Sequence, residues 1–442
     1  MTTPIYDFLK QYLQSDALRL HMPGHKGRYI GDSLSCNMDI TEISGAGDLF
    51  EDSGIIAESE KNASELFATG TTCYSAGGST LCIQTMLRLV FRRGRLLAAR
   101  DCHRAFLNAA ALLGYEIDWI YPLEAECGEL SGAYAARDFA AALERQKYDA
   151  VYITSVNYYG YVRDTAEISR ICGLYDTPLI ADNAHGAHLA FSEEHLHPIA
   201  AGADMCCDSA HKTLPALTGA AYIHSREKFA PREIKHAMGV FGSTSPSYLI
   251  TASLDLLNGF LESECRQRLS VLIPAISEMK SRLSGQWHFC GDDSLHITVY
   301  SALGGLTGTA LARILRENRI ECEYADDYCV VLLLSPMNTS EDIKRLESVL
   351  SSVKCPRIRL PLMPQCFLSL PRELTLREAM LSPCREVALS GAVGEICARS
   401  VVPCPPAFPL IAAGERITRE CAELLASFNV KSIFIVGKDE RT

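Results

Sequence analysis

The chain has 442 residues, a net charge of −11 at pH 7, 48% hydrophobic and 21% charged residues. That length exceeds one ordinary domain, and the balance suits a globular protein able to bury a large core. The acidic balance argues against nucleic acid or an anionic membrane as partner and fits a cationic substrate.

No apolar run is long enough to span a bilayer, and the start, MTTPIYDFLKQYLQ, lacks the apolar region of a signal peptide. A cytoplasmic location is therefore expected. The 18 cysteines are scattered, several within apolar stretches (Cys82, Cys172, Cys206, Cys207), and no CxxC pair occurs. Buried free thiols explain this better than a disulfide or zinc framework.

Residues 1–65 read as an N-terminal arm containing HMPGHKGR and a Gly- and Asp-rich stretch from Asp39 to Gly54. From about residue 66 short apolar runs alternate with helical segments. The predicted strands are Leu96–Arg100, Ile117–Tyr121, Ala150–Val156, Pro178–Asp182, Ala203–Cys207 and Ala220–His224. Arg104–Leu113 and Asp164–Tyr175 carry helical periodicity between them. Such alternation predicts an α/β fold with a mainly parallel sheet wrapped by helices. After a helical stretch near Ile250–Leu283 comes a smaller α+β unit: strand Leu295–Tyr300, helix Thr307–Asn318, strand Tyr328–Ser335 and helix Ser340–Val353. A last segment is proline-rich around Val402–Pro409 and ends in the strand-like Ser432–Val436. The expected division is a large domain over 66–285 (with the arm, a major domain over 1–285), a small α/β domain over 286–355 and a C-terminal domain over 356–442. Three sites in the large domain carry chemistry.

The first is AGGST at Ala76–Thr80, before an amphipathic helix with Ile83, Met86, Leu87, Val90 and Phe91 on one face. Glycines followed by two hydroxyls at a helix start make an anion cradle, because backbone N–H groups and the helix dipole favour a phosphate. An ordinary Ser/Thr cap after a tight turn would look the same. Neither G-x-x-x-x-G-K-[ST] nor a strand-borne G-x-G-x-x-G occurs, which excludes the common nucleotide loops. The second is PLIADNAHGAH at Pro178–His188, where an apolar strand runs into Asp182 at the edge at which open α/β sheets bind ligands. Asp182, His185 and His188 also have a loose metal-ligand spacing, but no matching cluster accompanies them and no metal is expected. The third is ADMCCDSAHKTLPALTGAAYIH at Ala203–His224, where a strand ends in Asp208-Ser209-Ala210-His211-Lys212. A lone lysine is usually a solvated charge; one desolvated at a strand end can form imines with carbonyls.

Together these supply what pyridoxal phosphate needs: a phosphate cradle, an acid for the ring nitrogen and a lysine for the aldehyde. The chain resembles the short-form Orn/Lys/Arg decarboxylases, which are fold-type-I pyridoxal-phosphate enzymes. The resemblance rests on His21–Gly27 (HMPGHKG), Asp39–Ile43 (DITEI), Gly78–Thr80, Asp101–Arg104 (DCHR), Asn157–Gly160 (NYYG), Asp182–His185 (DNAH), Ser209–Leu214 (SAHKTL), Thr244–Leu249 (TSPSYL) and Val401–Glu415. It implies an aspartate-aminotransferase-like large domain with a mainly parallel seven-stranded sheet, a small α/β domain and a C-terminal extension.

The resemblance also implies roles. Lys212 would hold the cofactor as a Schiff base, Asp182 would pair with the pyridinium nitrogen, and His103 would stack on the ring. Gly78, Ser79, Thr80, Ser209 and His211 would surround the phosphate, and His185 would lie near the reacting centre. The implied reaction is decarboxylation of arginine, lysine or ornithine to a polyamine or its precursor (agmatine, cadaverine or putrescine). Lys212 or a nearby histidine would return a proton to Cα. The partner implied is a second copy of the chain, as a homodimer or dimer of dimers with the active site at the interface. The N-terminal wing domain of the long inducible enzymes is not expected, since HMPGHKG begins at residue 21. Departures from the family pattern fall at Ser44, Phe50, Gly77, Val156, Cys404 and Ala407; Phe50 and the 401–410 stretch are expected to border the substrate channel. An aminotransferase or lyase of the same fold, and a cofactor-binding protein without turnover, are the alternatives; CO2 release separates them.

Overall fold

The structure, a computed structural model, describes residues 17–20, 26, 47–123, 133–356, 360–361, 363–364, 366–403 and 408–437. HMPGHKG other than Lys26, DITEI, Ser44, Cys404 and Ala407 lie outside the described residues.

In chain order the strands are β1 (Leu18–Leu20), β2 (Thr71–Ser75), β3 (Arg95–Ala99), β4 (Glu116–Ile120), β5 (Ala150–Thr154), β6 (Leu179–Asp182), β7 (Met205–Asp208), β8 (Ala221–Ser225), β9 (Phe289–Cys290), β10 (His296–Val299), β11 (Ile320–Cys322), β12 (Tyr324–Ala325), β13 (Val330–Leu333), β14 (Cys384–Ala388) and β15 (Ser432–Val436). The main sheet has 7 strands in the order β2-β8-β7-β6-β5-β3-β4. From β7 to β4 neighbours are parallel, whereas β8 is antiparallel to both β7 and β2. The sheet is thus mainly parallel, as expected. Its central strands (AVYIT, LIAD, MCCD) are buried almost throughout, which is why they read as continuous apolar runs and do not alternate.

Each predicted strand of the main sheet is present to within a residue or two. The strand the pattern missed is β2, Thr-Thr-Cys-Tyr-Ser, whose polar residues are all buried. The helical stretch near Ile250–Leu283 is Tyr248–Phe260, a single π turn at Leu261–Cys265, and Arg266–Leu283. Four strands in the order β12-β13-β10-β9 form the small antiparallel sheet, and β14 pairs with β15 near the C-terminus. Core residues of the long helix (Leu269, Leu272, Ile276) and of the small unit (Val299, Leu311, Leu332, Leu346) belong to one continuous apolar cluster. The described cysteines are free, most of them buried, and burial pushes the Cys82 thiol up to about 12. Among the described residues no helix is long and apolar enough to cross a membrane.

Candidate active site

The neighbouring strands β7, β6, β5 and β3 run parallel, so their C-terminal ends open on one side of the sheet, where α/β folds place ligands. One cleft forms there. Five of the sequence-predicted residues line it: Ser79, His103, Asp182, His185 and Lys212. Asp101, Thr154, Asn157, Tyr158 and Tyr159 are among the other lining residues, and Phe408 reaches in from the C-terminal segment.

Asp182 ends β6 and is 3% exposed. Its Oδ2 accepts from the Tyr152 hydroxyl at 3.2 Å, and its Oδ1 accepts from Ala184 N–H at 3.1 Å and the Cys207 thiol at 3.7 Å. Lys212 lies on the short helix Ala210–Thr213 that follows β7, and its Nζ sits 2.9 Å from Nε2 of His185. His103 caps the helix Arg104–Leu113, its Nδ1 accepting from Ala105 N–H at 3.1 Å, so its proton sits on Nε2 when the ring is neutral. The ring faces the open cleft, yet the cleft walls exclude enough water to lower its pKa. Asp182 opposes that shift, while Lys212 and Arg104 add to it.

Gly78, Ser79 and Thr80 open the helix Gly78–Val90. The Gly78 N–H bonds Gly219 O at 2.8 Å, and Gly78 takes φ +66°, a conformation that a side chain would strain. Among the described residues the Ser79 and Thr80 N–H groups have no acceptor, which leaves two first-turn donors for an anion. Among the described residues the buried Ser209 hydroxyl, just before the helix of Lys212, has no hydrogen-bond partner. His211 Nδ1–H donates to Ala220 O at 2.9 Å.

His296 and Asp293 escaped the sequence reading. His185 Nδ1 lies 3.3 Å from Nε2 of His296, whose Nδ1 lies 2.6 Å from Oδ2 of Asp293. His188 Nε2 is 2.8 Å from the other Asp293 oxygen. His188 and His185, three residues apart on one turn, thus reach the same carboxylate by different routes. Burial alone would raise the Asp293 pKa, but the His188 and His296 imidazoles outweigh it and hold the carboxyl well below the usual range. The His185 pKa is driven well down by burial, then by Lys212, His296 and His103, against Asp293.

Asp182, His185 and His188 do not converge as metal ligands. Among the described residues the cluster with that geometry is His197, Asp208 and His224. There Asp208 Oδ2 lies 3.0 Å from His197 Nε2 and 3.3 Å from His224 Nε2, and Asp208 Oδ1 accepts from Asn183 at 2.7 Å. That hydrogen-bonded knot fixes the end of β7 ahead of Ser209. Phe50 packs against Gly239 and Gly242 and is absent from the described cleft wall, whereas Phe408 lies in it.

The family model of the Orn/Lys/Arg decarboxylase major domain matches residues 3–300. An arginine decarboxylase of Bacillus subtilis is 27% identical over 95% of this chain and 92% of its own. Lysine decarboxylase A from Pseudomonas aeruginosa superposes with a TM-score of 0.74 at 19% identity, over 91% of this chain and 71% of that one. The Francisella novicida lysine decarboxylase LdcF does so at 0.72 and 17% identity, over 91% and 74%. The chain belongs to the Orn/Lys/Arg decarboxylase family.

Proposed function

We propose that this protein is a pyridoxal-phosphate-dependent decarboxylase of one basic amino acid (arginine, lysine or ornithine), acting in the cytoplasm as a homodimer or dimer of dimers and supplying amines for polyamine synthesis. One observation carries the reading: a lysine, a strand-end carboxylate, a capping histidine and an open helix N-terminus share one cleft. The residues fit the cofactor, because the orphaned Ser209 hydroxyl and the free N–H groups of Ser79 and Thr80 suit a phosphate. Bound there, pyridoxal phosphate supplies a conjugated ring that takes up the electrons left when CO2 departs.

The chain's own side chains do the rest. Lys212 would offer the amine that holds the aldehyde, and Asp182 would accept a hydrogen bond from the protonated ring nitrogen. His103, its Nδ1 engaged with Ala105 N–H, would cover one face of the ring. The tyrosine-lined wall at Tyr158 and Tyr159, with a net charge of −11, favours a cationic side chain over an anionic one. Binding that remote group orients the α-carboxylate for loss. We also retain the division into a major domain over 1–285, a small domain over 286–355 and a C-terminal domain over 356–442 as part of this reading.

The test is release of labelled CO2 from carboxyl-labelled arginine, lysine and ornithine by purified protein supplied with pyridoxal phosphate. Release from one of them is expected. A protein that binds the cofactor and releases CO2 from none of the three would end the decarboxylase reading.

A further inference from the structure

We propose that Asp293 and His296 form, through His185, a proton relay that lets the Lys212 amine shed its proton into the protein interior; His296 is a positioning residue of the reaction. The inference rests on Lys212 as the reactive amine of the function proposed above. It deepens that reading by saying how the amine is made ready.

With Lys212 charged, the hydrogen-bond chain runs in one direction. Asp293 is an ionised acceptor that also takes the Leu295 and His296 backbone N–H groups at 3.0 and 3.1 Å. The facing His296 Nδ1 must therefore carry a proton, which leaves the Nε2 lone pair towards His185. His185 in turn donates from Nδ1 and presents a bare Nε2 to the Lys212 amine at 2.9 Å. When the Lys212 ammonium gives its proton to His185 Nε2, the His185 Nδ1 proton passes to His296 Nε2. Two N–H bonds break and two form, and the positive charge ends on His296 against the Asp293 carboxylate. Reversal returns the proton. His185 stays neutral at both ends, as its buried position demands. His188 is not the terminus, because its buried Nδ1 has no acceptor among the described residues and a proton there would go unpaired.

The surroundings hold this geometry. Gly160, from NYYG, has φ +82°, and a Cβ there would lie 2.5 Å from the His296 Cβ. Its carbonyl accepts from the Asp292 and Asp293 N–H groups, both at 2.8 Å. The Tyr158 ring stands edge-on to His185 at 5.2 Å and packs against it. The other charged or titratable groups facing this cluster are Lys280, whose Nζ donates to His296 O at 2.9 Å, and Asp292, whose charge acts on Lys280. Lys26 donates to the carbonyl of Leu333, the cross-strand partner of His296, and His103 faces His185 across the cleft. Among the described residues Asp293 is the carboxylate bonded to the His296 ring.

The test uses the full chain without cofactor. Acylation of Lys212 by trace labelled acetic anhydride is followed against pH by peptide mass spectrometry, for wild type, His296→Gln and Asp293→Asn. Wild type should reach half-maximal reactivity about one pH unit or more below both variants, which near neutrality is about a tenfold difference in labelling. A merely structural role would depress labelling at every pH without moving the midpoint, and an unmoved midpoint in both variants overturns the relay. If neither variant folds, nitrogen-15 histidine NMR of wild type decides. His296 should keep its Nδ1 proton throughout and gain one on Nε2 as pH falls while His185 stays neutral; charging of His185 in place of His296 overturns the proposal. Acylation needs no cofactor, so a failure of pyridoxal phosphate to bind would strike the proposed function and leave this test standing.

Discussion

Replacing Glu415 by alanine should loosen the C-terminal segment from the edge of the active-site sheet. Glu415 takes both terminal nitrogens of Arg100 at 2.8 Å, with the two side chains 3% and 1% exposed. Its Oε2 also accepts from Ala412 N–H at 2.8 Å. Arg100 follows β3 and immediately precedes Asp101 of the cleft wall, while the turn around Glu415 belongs to the segment that brings in Phe408. Glu415→Ala leaves the guanidinium buried over Trp119, 4.8 Å from the ring centre, with no counter-charge. Breaking a buried pair from one side costs about 3–5 kcal/mol, whereas replacing both partners by apolar groups of similar size is often near neutral. Urea unfolding followed by tryptophan fluorescence suits the question, because Trp119 lies beside the pair. The expected result is a loss of about 3–5 kcal/mol for Glu415→Ala and a much smaller loss for Arg100→Met with Glu415→Leu. A single variant costing under about 1 kcal/mol, or a double variant as damaged as the single, would refute this reasoning.

Three further outcomes are expected. Asp182→Asn should still take up cofactor but lose about 10²–10³-fold in kcat, the usual loss for one electrostatic stabiliser in a closed site; an unchanged kcat would exclude Asp182 as the ring-nitrogen partner. Gly160→Ala forces a side chain into positive φ and against His296, and should cost about 1–3 kcal/mol in chemical unfolding. A neutral result would mean the NYYG turn yields easily. Burial would raise Asp208 and Asp293, but their histidine partners more than reverse this and hold both carboxyls well below the usual range. A depressed folded pKa gives stability that is present above the unfolded value of about 4 and is lost as pH falls through the folded one. Unfolding free energy should therefore fall steeply below about pH 4, with a shallower slope in Asp293→Asn; equal slopes would contradict that assignment.

The cleft was legible because its residues sit where chain patterns change. Asp182 and Lys212 each follow an apolar strand, and Ser79 opens a helix after two glycines, so local sequence carries the positions of all three. His296 and Asp293 are separated from His185 by more than a hundred residues, and within their own segment they look like a polar start to the apolar run of β10. A histidine set between Leu295 and Ile297 at the start of an apolar strand was the available signal. Arg100 with Glu415 was hidden in the same way, 315 residues apart. β2 escaped because pairing with β8 buries hydroxyl-bearing residues that by themselves suggest a turn. The phosphate role of His211 came from the family resemblance alone, and the bond from its Nδ1 to the carbonyl of Ala220 could not be read from the local sequence.

The most direct test of the central claim is reductive trapping with borohydride of the protein incubated with pyridoxal phosphate, followed by peptide mapping. The cofactor's mass should appear on the peptide carrying Lys212, and Lys212→Ala should lose both the adduct and CO2 release. A cofactor mass on a different lysine, or CO2 release that survives in Lys212→Ala, would contradict the assignment of the reaction to this cleft.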